Sequence, residues 1–96
     1  MNALTDIATL KILIAEDHPF FSEGLLNALT PFERYKVVGC VSRGDEVLDA
    51  INRWHPDIIL LDINMPGRTG IEILPELKNL RPGLKIVIIT MYMPAD

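Results

Sequence analysis

Apolar residues fall into four short runs along this chain, and the gaps between them carry helical spacing. The first run is Lys11-Ile12-Leu13-Ile14-Ala15, and it ends at Glu16-Asp17. The second, Tyr35 to Val41, is partly β-branched and interrupted by Gly39. The third spans Asp57 to Leu61, where an apolar stretch is closed by the lone carboxylate of Asp62. The fourth is Lys85 to Thr90. Apolar runs of this length, bounded by polar punctuation, read as strands buried on both faces.

The intervening stretches read as three helices. Pro19 suits a first helical turn, where its missing N–H costs nothing, with Asp17 or His18 flanking the start. Phe21, Leu25, Leu26 and Leu29 follow at helical spacing, and Pro31 ends the run. Ser42-Arg43-Gly44 is a turn, after which Val47, Leu48, Ile51 and Trp54 form the apolar face of a second helix that stops before Pro56. Residues Asn64 to Gly70 are dense in turn formers. Thr69 and Glu72 then fit a capping box, with Ile71, Ile73, Leu74, Leu77 and Leu80 continuing a third helix to Arg81-Pro82-Gly83. Pro75 lies beyond the first turn of that helix, so a kink, or a start displaced toward Pro75, is expected.

Strands alternating with short helices predict an α/β architecture with parallel pairing. The 96 residues make one domain, 1–96, with residues 1–10 as a loose lead-in and Met91 to Asp96 trailing off. A chain this short buries a real but marginal core.

Charge and cysteine usage narrow the classes. A net charge of -4 and scattered Lys and Arg residues argue against a nucleic-acid surface. Cys40 is the single cysteine, so no internal disulfide or cysteine-based metal cage can form, and it reads as a small buried hydrophobe. The start of the chain lacks a basic signal-peptide region, and no apolar run approaches the ~20 residues that span a bilayer. A soluble, cytoplasmic protein without membrane contact is expected.

Candidate chemistry lies at the strand ends. Glu16-Asp17 follows the first strand, Asp62 the third, and Thr90 closes the fourth. Sites in open parallel sheets form beyond the carboxyl ends of strands, where strand order reverses. Carboxylates gathered there repel one another unless a cation is present or one takes a proton. Hard oxygen donors with room for water suit Mg2+, with Asp62 as a candidate nucleophile toward phosphorus. A strand-terminal Asp alone is often only a helix cap; joint occurrence at three strand ends favours a site. His18 is expected as a polar neighbour of that site and not a ligand. Trp54 and the methionines read as packing, and Lys78 and Lys85 as solvated.

Glu16-Asp17-His18-Pro19, then Pro56-Asp57 through Asp62-Ile63-Asn64-Met65-Pro66 with Gly70, then Ile88-Ile89-Thr90-Met91, resemble the receiver domain of bacterial two-component response regulators, most closely the NarL/FixJ-type branch. The resemblance runs from about Lys11 to the end of the chain. It implies a flavodoxin-like, doubly wound parallel sheet of order 2-1-3-4. Asp62 would be the phosphoacceptor, charged by a sensor histidine kinase or phosphotransfer protein. Asp17 and Asp62 would hold Mg2+ through carboxylates, Glu16 through its water shell, and Asn64 through its backbone carbonyl. Thr90 would be the switch hydroxyl. The family is a signalling module and not an enzyme.

Against the family pattern, this sequence stops after the fourth strand. The fourth helix, fifth strand and fifth helix are missing, together with the family lysine, for which Lys11, Lys36, Lys78 and Lys85 offer no substitute. One face would then be covered by the first helix alone, and Ile86 to Ile89 would form an apolar edge strand. A homodimer through that strand and the uncovered face is therefore expected. The DNA-binding module of longer relatives has no counterpart in these residues, so no direct DNA contact is expected. A second reading is a truncated receiver that is not phosphorylated and competes for a kinase or a full-length regulator. A haloacid-dehalogenase-type phosphatase would need a second Asp where Asn64 stands.

Overall fold

The computed structural model describes residues 8–90. Its elements run β1 (Leu10–Ala15), α1 (Pro19–Leu29), β2 (Tyr35–Val41), a short turn of 3-10 helix (Gly44–Glu46), α2 (Val47–Trp54), β3 (Ile58–Asp62), α3 (Gly70–Leu80) and β4 (Lys85–Ile89). All strand pairs are parallel and the sheet order is β2-β1-β3-β4, as expected for the flavodoxin-like arrangement. β1 begins one residue inside the expected lead-in; residues 1–7 and 91–96 lie outside the described part. No described helix is long and apolar enough to cross a membrane.

Strand register decides what each face of the sheet holds. Leu13 pairs with Ile59, and Ala15 with Leu61, which puts all four on one face. There they pack with Val47, Ala50 and Ile51 of α2 and with Ile73 and Leu77 of α3. Full burial of one such aliphatic side chain contributes about 1.5–3 kcal/mol, so this face supplies most of the hydrophobic stabilisation. Trp54 adds to it because Gly39 has no side chain: a Cβ there would sit 2.5 Å from the indole ring.

The opposite face is thinner. Ile12 and Ile14 are buried, but Ile58 and Leu60 are only half-buried and Val87 is 46% exposed. β3 is thus sealed on one face, not on both as its apolar run suggested. α1 lies along β2, contributes nothing to the main core cluster and has no fully buried residue; Leu26 faces solvent.

Two other expectations change, for Cys40 and for the buried face of α3, and one of the two alternatives for the α3 start is excluded. Cys40 is exposed, not buried: β2 is an outer strand of the described sheet with one neighbour. α3 starts at Gly70, undisplaced, because the capping box forms: Glu72 N–H donates to Thr69 Oγ1 at 3.1 Å, and Thr69 N–H donates to Glu72 Oε1 at 3.4 Å. The helix runs through Pro75, which leaves the Ile71 carbonyl without its helical donor; Ile71 and Pro75 are both exposed, so water can reach that group. The buried face of α3 is therefore Gly70, Ile73 and Leu77, while Ile71 and Leu80 point outward.

Candidate metal and phosphoacceptor site

β1 and β3 are neighbours, so the residues leaving their carboxyl ends meet. Ala15 pairs with Leu61, and the next residue, Glu16, is anchored by its N–H on the Val41 carbonyl at 3.0 Å. Asp62 is the last residue of β3. One donor atom from each of Glu16, Asp17, His18 and Asp62 lies within 4.8 Å of the others. Glu16 and Asp62 are only 3% and 2% exposed.

Charge in this group is poorly compensated. Glu16 Oε1 accepts the His18 N–H at 3.0 Å and faces His18 Nδ1 at 2.5 Å. Asp17 Oδ1 lies 3.1 Å from the same ring nitrogen without hydrogen-bond alignment. Glu16 Oε2 and Asp17 Oδ1 are buried with no hydrogen-bond partner. A buried carboxylate oxygen left unpaired is costly, so such atoms mark a place where a cation belongs. Asp62 Oδ1 accepts the Asn64 N–H at 3.1 Å. Burial pushes the Asp62 carboxyl above the usual carboxylate range; the Asn64 N–H pulls it down, and the Glu16 and Asp17 carboxylates add to the rise. His18 is raised in turn, chiefly by its contact with Glu16, with burial opposing and Asp17 next.

The loop after Asp62 is held by close approaches that need bare backbone. Gly70 N–H donates to the Ile63 carbonyl at 3.0 Å, and a Cβ at Gly70 would lie 2.7 Å from the Asp62 carbonyl oxygen. Gly44 N–H donates to the Pro66 carbonyl at 2.9 Å, and a Cβ at Gly44 would lie 1.5 Å from the Arg68 carbonyl oxygen. Only glycine fits there. The turn before α2 therefore clamps the loop that follows the central carboxylate.

Four of the sequence-derived candidates, Glu16, Asp17, Asp62 and Asn64, come together around the Asp62 carboxylate. Thr90 sits at the same end of the sheet, one residue past Ile89, whose register partner is Asp62, and it is exposed. Gly44, read only as part of a turn, is the residue that sequence reasoning undervalued, and His18 stands beside the carboxylates as the expected polar neighbour. The His18 ring shares the cluster, and its position just before Pro19 was the available signal.

Such a sheet, with acidic residues gathered beyond β1 and β3, is that of a flavodoxin-like α/β domain with its candidate site at the carboxyl ends of the strands. The family model for the response regulator receiver domain matches residues 12–96, and the chain belongs to that family. The transcriptional regulatory protein DesR of Bacillus subtilis is 36% identical over 83 residues, covering 86% of this chain and 41% of that protein. The nitrate/nitrite response regulator NarL of Escherichia coli is 34% identical over 80 residues, covering 83% and 37%. The chain thus spans about two fifths of the length of these regulators. Among solved structures, the signal receiver domain of the response regulator NarL from Mycobacterium tuberculosis superposes with a TM-score of 0.81 at 28% identity, covering 91% of this chain and 70% of that one. Receiver domains bind Mg2+ at an acidic pocket of the kind formed here by Glu16, Asp17 and Asp62.

Proposed function

We propose that this chain accepts a phosphoryl group on Asp62, in a Mg2+-dependent step, from the phosphohistidine of a sensor histidine kinase or phosphotransfer protein. The observation that carries this reading is the pair of unpartnered, buried oxygens on Glu16 and Asp17 beside the buried Asp62 carboxylate. The donor set fits the ion: oxygen donors of net negative charge, with Asp17 partly open to water. Asp17 and Asp62 would hold it through carboxylates, Glu16 through a water, and Asn64 through its backbone carbonyl. When bound, Mg2+ neutralises charge on the transferring group.

The protein's own part is orientation. The Asn64 N–H ties down Asp62 Oδ1, which orients the carboxylate, and Oδ2 is the oxygen assigned to attack. That oxygen forms the new P–O bond in line as the P–N bond to the donor imidazole breaks, and the electron pair stays on the donor nitrogen. The acyl phosphate brings about two negative charges to the end of the sheet. The Thr90 hydroxyl, beside the register partner of Asp62, is the group assigned to hydrogen-bond it.

Incubation with acetyl phosphate and Mg2+ should add about 80 Da, one phosphoryl group, by intact mass. The adduct should vanish in Asp62→Asn and in excess chelator. Wild-type protein that binds Mg2+ yet forms no adduct would sink the proposal.

Self-association through β4 is a second part of the proposal. Among the described residues β4 has one neighbouring strand, and Val87 and Ile88, on its two faces, are each 46% exposed. An apolar strand edge of this kind templates pairing with another copy. Light scattering at micromolar concentration should report a dimer that Val87→Lys weakens; a clean monomer contradicts it. The net charge of -4 gives no support to direct DNA contact from these residues.

A further inference from the structure

We infer that His18 is a nitrogen ligand of the divalent-cation pocket, and that it gives this pocket a preference for transition-metal ions over Mg2+. The inference rests on the reading that Glu16, Asp17 and Asp62 hold a divalent cation.

Three observations place the ring there. His18 Nδ1 is one of the four donor atoms that lie within 4.8 Å of one another. Its 3.1 Å separation from Asp17 Oδ1 matches two adjacent corners of an octahedron. With bonds of ~2.1 Å, adjacent ligands sit ~3.0 Å apart and opposite ones ~4.2 Å apart, so gathering donors that now lie up to 4.8 Å apart needs movements of about half an ångström.

The second observation is what surrounds the ring. The Glu16 side chain is fully buried, and its Oε2 has no partner, so the ring faces a pocket whose walls still lack a cation. The third is how His18 is held. It is the residue before α1, with φ -96° and ψ 110°, an extended conformation that the following Pro19 enforces. Its side chain makes no capping hydrogen bond to the helix; Nδ1 instead lies 2.5 Å from Glu16 Oε1, a contact that a bound ion would have to replace. The His18 N–H is anchored on Glu16 Oε1 at 3.0 Å, which fixes the backbone and points the ring along the carboxylates.

The chemistry follows from the donor type. Imidazole suits Fe2+, Ni2+, Cu2+ and Zn2+, with affinity rising along the first transition row as far as Cu2+. Mg2+ dehydrates reluctantly and favours oxygen, so a nitrogen donor adds little to its binding. A ring that only oriented Glu16 would instead help every divalent ion alike. The preference between ions therefore separates a ligand from an orienting neighbour.

Titration calorimetry of the purified protein with Mg2+ alone and with Ni2+ alone gives that preference. In His18→Ala the ratio of Ni2+ to Mg2+ affinity should fall on the order of tenfold or more, with Mg2+ affinity itself little changed. Equal losses for both ions, or an unchanged ratio, would overturn the inference. A second measurement needs no variant to fold. With one equivalent of Mn2+, pulsed electron paramagnetic resonance of the wild type should show nitrogen modulation from a coordinated imidazole. His55, the other histidine, contacts Arg81 instead, so loss of the signal in His18→Ala assigns it. Absence of nitrogen modulation in the wild type also overturns the inference. Failure to bind either ion would overturn the proposed function together with it, whereas normal Mg2+ binding with no shift in preference overturns only the role of His18.

Discussion

Two aspartates flank the same strand and live in opposite circumstances. Asp57 precedes β3 and is tied by three hydrogen bonds to its neighbours: Oδ2 accepts the Lys11 N–H at 2.8 Å, its N–H donates to the Lys11 carbonyl at 2.8 Å, and its carbonyl accepts the Lys85 N–H at 3.1 Å. It ties β1, β3 and β4 together at their amino ends. Asp62 closes the strand at the other end, more deeply buried, with one backbone donor and with other carboxylates for neighbours. The same side chain is a structural tie where β1 donates to it, and an uncompensated charge where carboxylates converge. Surroundings, not residue type, decide which carboxylate is chemically poised.

The widest gap between the two should appear in metal binding. Asp62→Asn should lower Mg2+ affinity by about one to two orders of magnitude, while Asp57→Asn should leave it within error. Calorimetric titration of both variants checks this, and equal effects would erase the distinction. Stability should separate them next, in the reverse sense. Asp57→Ala strands a part-buried Lys11 N–H, at a cost of about 1–3 kcal/mol, and should lower Tm by several degrees without touching the phosphoryl adduct.

The smallest effect concerns pH. Because the Asp62 pKa is raised in the folded state, the native protein holds this proton more tightly than the unfolded chain does. The metal-free protein is therefore most stable, as far as this group is concerned, below the ordinary aspartate value, and it loses that contribution as pH rises through the raised one. Asp62→Asn should remove the slope and raise the neutral-pH Tm of the metal-free protein by roughly a few degrees. Thermal melts in chelator across the acid range test it; a variant less stable than wild type at neutral pH would contradict it.

The strands, the helices between them and the strand-end acids were legible because each rests on local pattern: short apolar runs, helical spacing between them, and carboxylates just past the runs; the strand order came from the family resemblance. The start of α3 was legible for the same reason, since Thr69 and Glu72 carry their own hydrogen bonds. What was not legible depends on the third dimension. Cys40 lies in an apolar run like its neighbours, yet the outer position of β2 exposes it. Ile71 shares the apolar character of Ile73 but faces solvent, 66% exposed, because the rotation of α3 is set by Gly70 against Asp62. His18, read as a polar neighbour of the site, lies in the carboxylate cluster with its ring against Glu16.

The contact between Gly44 and the Arg68 carbonyl has a mechanical side. With no room even for a methyl group, and with the Gly44 N–H held on Pro66, the segment beyond Asp62 rests against the turn before α2 as against an abutment. Close-packed interiors pass strain on instead of absorbing it. If Asp62 is phosphorylated as proposed, the new charge would meet a stiff wall on the α2 side, leaving the β4 side of the crevice to yield to the displacement. A bulkier residue at position 44 would break the abutment and let that displacement leak into α2.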